Sequence, residues 1–333
     1  MRRLRARDGG APPRSEAAER VYDTIKKPLD GEISTEDFLC PAAAENFVRQ
    51  DVFCLYCRRV WYTIKMDRKM GCKSHPGKEE YSMKEFHITD DGIQLHAKLD
   101  MPEEKEKCPL VIVFHGLTGN MEERHITAVS SAMNEIGFAT LRVELYGHGK
   151  SGGAFEQHNL MKWINNAMTV TDYAKTLDFV TDLYICGHSQ GGLLTMLAAG
   201  MRADDFKAAI PLSPAIVIPD GARKGNLLGQ PFDPEHVPDM LEWGDRHLSG
   251  NYIRTAQLLD VDEAIRKYEK PVLLVHGDAD EAVPIEYSID AAKKYKNAKL
   301  VQIPGDTHCY DEHLDQVTAA VKKFLGEMEN REG

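Results

Sequence analysis

A short apolar run, Leu183-Tyr184-Ile185-Cys186, breaks into Gly187-His188-Ser189-Gln190-Gly191 and continues as a helix-forming run from Gly192 to Ala199. A strand that ends on Gly-x-Ser-x-Gly and turns at once into a helix has few ways to fold. The serine must sit in a strained turn between the two elements, and a glycine on each side leaves room where a Cβ would collide. The turn lifts the Ser189 hydroxyl clear of the sheet edge. The pentapeptide alone occurs in many chains, and two residues downstream narrow the reading. Asp280 comes after the next strong apolar strand, Pro271 to His276, and His308 comes after the last one, Leu300 to Pro304.

The rest of residues 81–329 alternates between strand-like and helix-like runs. Strand patterns cover Lys84 to Thr89, Ile93 to Asp100, Leu110 to Phe114, Ala139 to Val143, Leu183 to Cys186, Ala208 to Leu212, Val272 to Val275 and Lys299 to Ile303. Helix patterns cover Glu122 to Ile136, Leu160 to Leu177, Gly191 to Met201, Glu286 to Tyr295 and Asp311 to Phe324. Asp90-Asp91-Gly92 is a hairpin signal between the first two strands, and helices between most of the later ones make those parallel. Two antiparallel strands leading into a wound parallel sheet, with serine, aspartate and histidine in that order, is the α/β-hydrolase plan. That order is neither chymotrypsin's nor subtilisin's. The expected fold is an eight-stranded, mostly parallel sheet flanked by helices. One long stretch, 216–270, carries no strand signal and falls between the sixth and seventh strands. Connections after strand ends line the crevice of an open α/β sheet, so this insertion is expected to form a lid over Ser189.

Composition excludes several other classes. A net charge of −11 argues against nucleic acid or an anionic membrane as the main partner. No apolar run approaches the roughly 20 residues of a membrane helix. Met1 to Arg7 is basic, but Asp8-Gly9-Gly10 and Pro12-Pro13 stand where a signal peptide would place its apolar stretch, so a cytoplasmic location is expected. Residues 1–80 do not fit the alternation and are expected to be an N-terminal extension, poorly ordered or partly helical. Cys54 and Cys57 have the two-residue spacing of a zinc knuckle, with Cys40, Cys72 and His75 nearby. The second pair such a site needs is missing, and no metal or cofactor is expected. A homodimer is left open.

The chemistry points to an acyl-transfer nucleophile. Ser189 attacks only when a base removes its proton. His308, in Pro304-Gly305-Asp306-Thr307-His308-Cys309 after the last strand, is the expected base. Asp280 would orient its imidazole. Asp278 competes for that role, but Asp280 lies further out on the loop, three residues before Val283-Pro284. The oxyanion hole would use the N–H groups of Gln190, at a helix start, and Leu117, in His115-Gly116-Leu117-Thr118-Gly119. Gly147-His148-Gly149-Lys150-Ser151-Gly152 ends like a phosphate loop, but position 144 is Glu where the earlier glycine should be, so it reads as the turn after the fourth strand. His188 reads as a packed side chain. A ligand slot is apolar with a few placed polar groups. Within the insertion, Trp243 and Tyr252 could supply an aromatic wall, and Asp233 could accept from a substrate hydroxyl.

Five stretches carry a closer likeness: Glu85 to Thr89, Glu123 to Ile126, Asn134 to Val143, Gly187 to Gly192 and Pro304 to Tyr310. Across about Glu85 to Lys322 the chain resembles the feruloyl (cinnamoyl) esterases of gut and rumen bacteria. The resemblance implies a serine carboxylic-ester hydrolase cleaving hydroxycinnamate esters (ferulate, p-coumarate) through an acyl-enzyme. Its partner would be a small hydroxycinnamate ester or a feruloylated oligosaccharide. It also implies the triad and oxyanion positions above and an inserted cap between strands six and seven. Residues 1–80 lie outside it. The alternatives are a general carboxylesterase or monoacylglycerol lipase preferring aliphatic acyl chains, a serine peptidase, and a binding protein on a hydrolase scaffold.

Overall fold

The computed structural model describes residues 82–102, 105–243 and 245–329. The extension expected over 1–80, with its Cys40, Cys54, Cys57, Cys72 and His75, lies outside the described residues. In chain order, β1 (Ser82–Asp90) and β2 (Ile93–Met101) form a hairpin, followed by β3 (Cys108–Phe114), α1 (Arg124–Glu135) and β4 (Ala139–Val143). A short 3-10 turn (Phe155–Gln157) precedes α2 (Leu160–Lys175), β5 (Val180–His188), α3 (Gln190–Met201) and β6 (Phe206–Leu212). The insertion then supplies α4 (Val217–Lys224), β7 (Asn226–Leu227), β8 (Gln230–Pro231), β9 (Met240–Trp243), β10 (Arg246–Ser249), α5 (Gly250–Gln257) and α6 (Val261–Lys267). The chain closes with β11 (Val272–Gly277), α7 (Glu286–Lys294), β12 (Ala298–Ile303) and α8 (Leu314–Glu329).

Eight strands form one sheet in the order β1-β2-β4-β3-β5-β6-β11-β12. β2 runs antiparallel to β1 and β4, and the remaining neighbours are parallel. All eight strands expected from the sequence are present. The β1–β2 turn places Asp91 and Gly92 at φ 46° and 78°, the two successive positive values that an Asp-Gly pair tolerates.

The central strands of the sheet are buried on both faces. Leu110, Ile112 and Phe114 of β3 join one apolar cluster, with α2, α3 and the insertion, while Val111 and Val113 join the other, with α1 and α8. β5 divides in the same way, Leu183 and Ile185 against Tyr184 and Cys186. Two buried faces explain why these strands read as continuous apolar runs rather than as an alternation. Among the described residues, no helix is long and apolar enough to cross a membrane.

The insertion departs from the sequence reading in one respect. Segment 216–270, which carries no strand signal, holds two small antiparallel ribbons, β7–β8 and β9–β10. Strands of two and four residues are too short for a period of two to stand out.

Candidate active site

Ser189 joins β5 to α3 with φ 58° and ψ −119°, a conformation that a non-glycine residue keeps only when its surroundings hold it. Its N–H donates to Leu212 O at 2.9 Å, and its carbonyl accepts from Leu193 N and Ala215 N, each at 2.9 Å. A Cβ at Gly187 would stand 2.3 Å from Gly191 O, and one at Gly191 would stand 2.4 Å from His115 O. Both glycines are therefore needed for the turn to close on itself and on the loop after β3.

That loop, His115 to Gly119, crosses directly over the serine: a Cβ added to Gly116 would lie 3.0 Å from Ser189 Cβ. Two histidines hold it. Leu145 N–H donates to His115 Nε2 at 3.1 Å, so the ring proton is on Nδ1, and Nδ1–H donates to Gly116 O at 2.7 Å. Gly119 N–H donates to the same oxygen at 3.1 Å. In a trans peptide the carbonyl and the following N–H point in opposite directions, so pinning Gly116 O fixes the direction of Leu117 N–H. Next to it, Thr118 N–H donates to His148 Nε2 at 3.2 Å, and His148 Nδ1–H donates to Tyr146 O at 3.0 Å. Burial pushes His115 down to about 3 and His148 to about 4. Both rings are thus neutral at pH 7, as their accepting nitrogens require. Gln190 N–H, at the first turn of α3, is the second amide beside Ser189, and among the described residues neither it nor Leu117 N–H is engaged by a protein acceptor.

His308 Nδ1 donates to Asp280 Oδ2 at 2.6 Å, leaving Nε2 as the basic nitrogen. The Asp280 side chain is completely buried. Burial alone raises a carboxyl pKa, but here hydrogen bonds from His276 and His308, with support from Val283 N–H, outweigh it and hold Asp280 below the usual carboxylate range. His276 Nε2 reaches the same Oδ2 at 3.1 Å and Val283 O at 3.0 Å, while its Nδ1 faces Ser288 Oγ at 2.7 Å. Asp280 Oδ1 accepts from Ala282 N at 2.9 Å and Val283 N at 2.8 Å. Asp278 does other work: its Oδ1 accepts from Gly305 N at 2.6 Å, closing the turn that leads to His308.

Asp280 and His308 are thus in contact, and the connection to Ser189 runs through its neighbour. His188 Nε2–H donates to His308 O at 2.7 Å, and His125 Nε2–H donates to His188 Nδ1 at 3.0 Å. The His188 and His308 ring centroids are 4.7 Å apart. Burial lowers His188 well below the ordinary histidine value and His125 to about 4. No hydrogen bond joins Ser189 Oγ to His308 among the described residues. His188 is packed, as its sequence position suggests, but it also holds the backbone of His308.

The three residues considered for a substrate slot are placed differently. Trp243 is half-buried at the end of β9 and packs against the main apolar cluster. Tyr252 is fully buried, and its hydroxyl donates to Gln190 Oε1 at 2.6 Å. It supports the residue after Ser189 instead of standing in an open slot. Asp233 is exposed, and its carboxylate is engaged locally by His236 Nδ1 at 2.8 Å and Glu235 N at 3.0 Å; no contact among the described residues brings it to the triad. Sequence reasoning did not single out His276, His125 or His148. The one signal for His276 is its His-Gly pair at a strand end, the pattern also seen at His115-Gly116. Among the described residues, no group of three or more His, Cys, Asp or Glu side chains is arranged to hold a metal.

Comparison with known proteins agrees with this architecture. The family described as serine aminopeptidase, S33, matches residues 105–250, and the family described as TAP-like protein matches residues 247–332. Est1E from Butyrivibrio proteoclasticus with ferulic acid bound is 60% identical with a TM-score of 0.73, over 74% of this chain and 99% of that one. A second structure of Est1E gives 57% identity and a TM-score of 0.70 over the same shares. The bifunctional esterase/perhydrolase DCH of Acinetobacter calcoaceticus is 24% identical over 263 residues, 67% of this chain and 92% of that protein.

Proposed function

The chain belongs to the feruloyl (cinnamoyl) esterase type of α/β-hydrolase and is a serine carboxylic-ester hydrolase, and on that premise we propose that it cleaves hydroxycinnamate esters with Ser189, His308 and Asp280 as its triad. His308 Nε2 takes the Ser189 proton as Oγ attacks the ester carbonyl. Leu117 N–H and Gln190 N–H receive the developing oxyanion, and the dipole of α3 adds to that stabilisation. Collapse of the tetrahedral intermediate breaks the C–O bond, and His308 returns the proton to the departing alcohol. Water, deprotonated by the same nitrogen, then releases the acid from the acyl-enzyme. Asp280 keeps the His308 proton on Nδ1 and stabilises the imidazolium formed in each step.

The observation that carries the assignment is the 2.6 Å bond between Asp280 and His308 Nδ1, in a turn fastened to the elbow through His188. For the acyl group, support comes from 60% identity to a protein whose structure holds ferulic acid. The segment 216–270 is read as the cap over this site, and residues 81–329 as the catalytic domain. A pre-steady-state burst with p-nitrophenyl ferulate should match the enzyme concentration, and the feruloyl mass should appear on the peptide containing Ser189. A mass on any other residue, or a burst that survives Ser189→Ala, would overturn the assignment.

A further inference from the structure

Trp243 and Arg246 are opposite each other across the β9–β10 ribbon, so their side chains leave the same face of it. Trp243 and Phe155 both pack against the main apolar cluster, and the Arg246 guanidinium carbon lies 4.8 Å from the centre of the Phe155 ring. The Phe155 ring is 5.1 Å from that of His148, whose Nε2 receives Thr118 N–H of the oxyanion loop. Arg246 is therefore the exposed end of a stack that begins at the oxyanion loop. After burial and the Tyr146 hydrogen bond, its charge is the next influence on His148, lowering the basicity of that ring.

Arg246 also differs from its counterparts. Arg124, Arg142, Arg202, Arg254 and Arg266 each pair with an aspartate, and Arg223 donates to the backbone carbonyls of Gln257 and Leu259. No carboxylate among the described residues pairs with Arg246, although Glu242 and Asp245 are close to it in sequence and Glu156 follows Phe155. A guanidinium lying on an aromatic face keeps its N–H edge free for a bidentate anion, and the stack restrains its rotamers in advance. In a chain of net charge −11, an exposed cation that no carboxylate among the described residues neutralises is a local attractor for anions.

Taking the esterase reading above as its basis, we propose that Arg246 forms an anion-recognising subsite at the mouth of the catalytic crevice, favouring esters that carry a carboxylate. The carboxylate can belong to the alcohol or to the acyl part, and two matched pairs separate these sources. The first is the ferulate ester of glycolic acid against that of glycolamide. The second is the mono-p-nitrophenyl ester of glutaric acid against its amide counterpart. The measured quantity is the carboxylate-to-amide ratio of kcat/KM for wild type, Arg246→Gln and Arg246→Lys, at low and high salt. In one pair the ratio should fall by up to about fivefold in Arg246→Gln, the scale of an exposed ion pair. Arg246→Lys should retain part of it, and salt should shrink it in the wild type and in Arg246→Lys but not in Arg246→Gln. An unchanged ratio in Arg246→Gln for both pairs overturns the subsite while leaving the esterase reading intact. No turnover of any of the four esters overturns both.

Discussion

His188 Nε2 lies 2.7 Å from the carbonyl oxygen of His308, so the residue before the proposed nucleophile holds the backbone of the residue proposed as its base. His125 completes the connection by donating to His188 Nδ1. Replacing His188 by Leu keeps the packing volume but removes both bonds. The expected result is a fall in kcat of about 10- to 100-fold, the cost of a misplaced catalytic group, with KM within about threefold. A buried carbonyl or N–H left without a partner should also cost about 1–3 kcal/mol in stability. Unaltered kcat in a folded His188→Leu protein would show that the fastening is dispensable.

The two acidic residues of the β11 loop should separate cleanly. Asp280→Asn should lower kcat by about 10³- to 10⁴-fold by disturbing the histidine tautomer. Asp278→Asn should change it by less than about threefold, because among the described residues the Asp278 carboxylate serves Gly305 N–H and no group of the proposed triad. His276→Ala, which removes a second donor from Asp280 and leaves Ser288 unpaired, should lie between them, lowering kcat about tenfold with KM nearly constant. Steady-state kinetics of the three variants on one ester decide the order.

Tyr252→Phe removes the donor to Gln190 Oε1 in a fully buried setting. Loss of about 1–3 kcal/mol of stability is expected, together with a similar proportional loss of kcat/KM on phenolic and aliphatic esters. A loss confined to phenolic esters would instead return Tyr252 to the substrate slot.

Burial, the largest cause in each case, holds His115 and His158 near a pKa of about 3 and His125 and His148 near about 4. In the unfolded chain a histidine protonates near 6.5. The folded values are depressed, so the folded state binds fewer protons than the unfolded one as pH falls below about 6.5. The stability these rings contribute is complete above that value and is lost on acidification toward about 4. Asp280, whose folded value is also lowered, adds to the loss only near the ordinary carboxyl range, and Glu123, whose value burial raises, opposes it, so between pH 7 and 5 the several histidines dominate. The midpoint of urea unfolding should drop over that window by the equivalent of a few kcal/mol. A flat midpoint would contradict the neutral, buried state assigned to these rings.

What could be read from the sequence and what could not have distinct physical causes. The central sheet strands were legible because they are buried on both faces, which demands long apolar runs such as Leu110 to Phe114, while the partly exposed edge strands β1 and β12 mix polar with apolar residues. Ser189, Asp280 and His308, the proposed triad, could be singled out because each follows a strand end in the order serine, aspartate, histidine, although Asp278 competed with Asp280 on the same loop. The supporting histidines were not. There are thirteen in the chain, and those at 115, 125, 148, 188 and 276 owe their function to partners distant in sequence, to burial, or to a tautomer fixed by one backbone group. The ribbons of the insertion were invisible because two- and four-residue strands carry no period. Asp233 suited a phenolic hydroxyl by residue type, but local turn chemistry with Glu235 and His236 uses its carboxylate at the surface.

The most direct test is hydrolysis of methyl ferulate beside p-nitrophenyl butyrate, by wild type and by Ser189→Ala. Strong turnover of methyl ferulate is expected, and it should disappear in the variant. Turnover of the butyrate alone would contradict the hydroxycinnamate assignment and leave a general esterase, and methyl ferulate turnover that persists in Ser189→Ala would contradict the nucleophile itself.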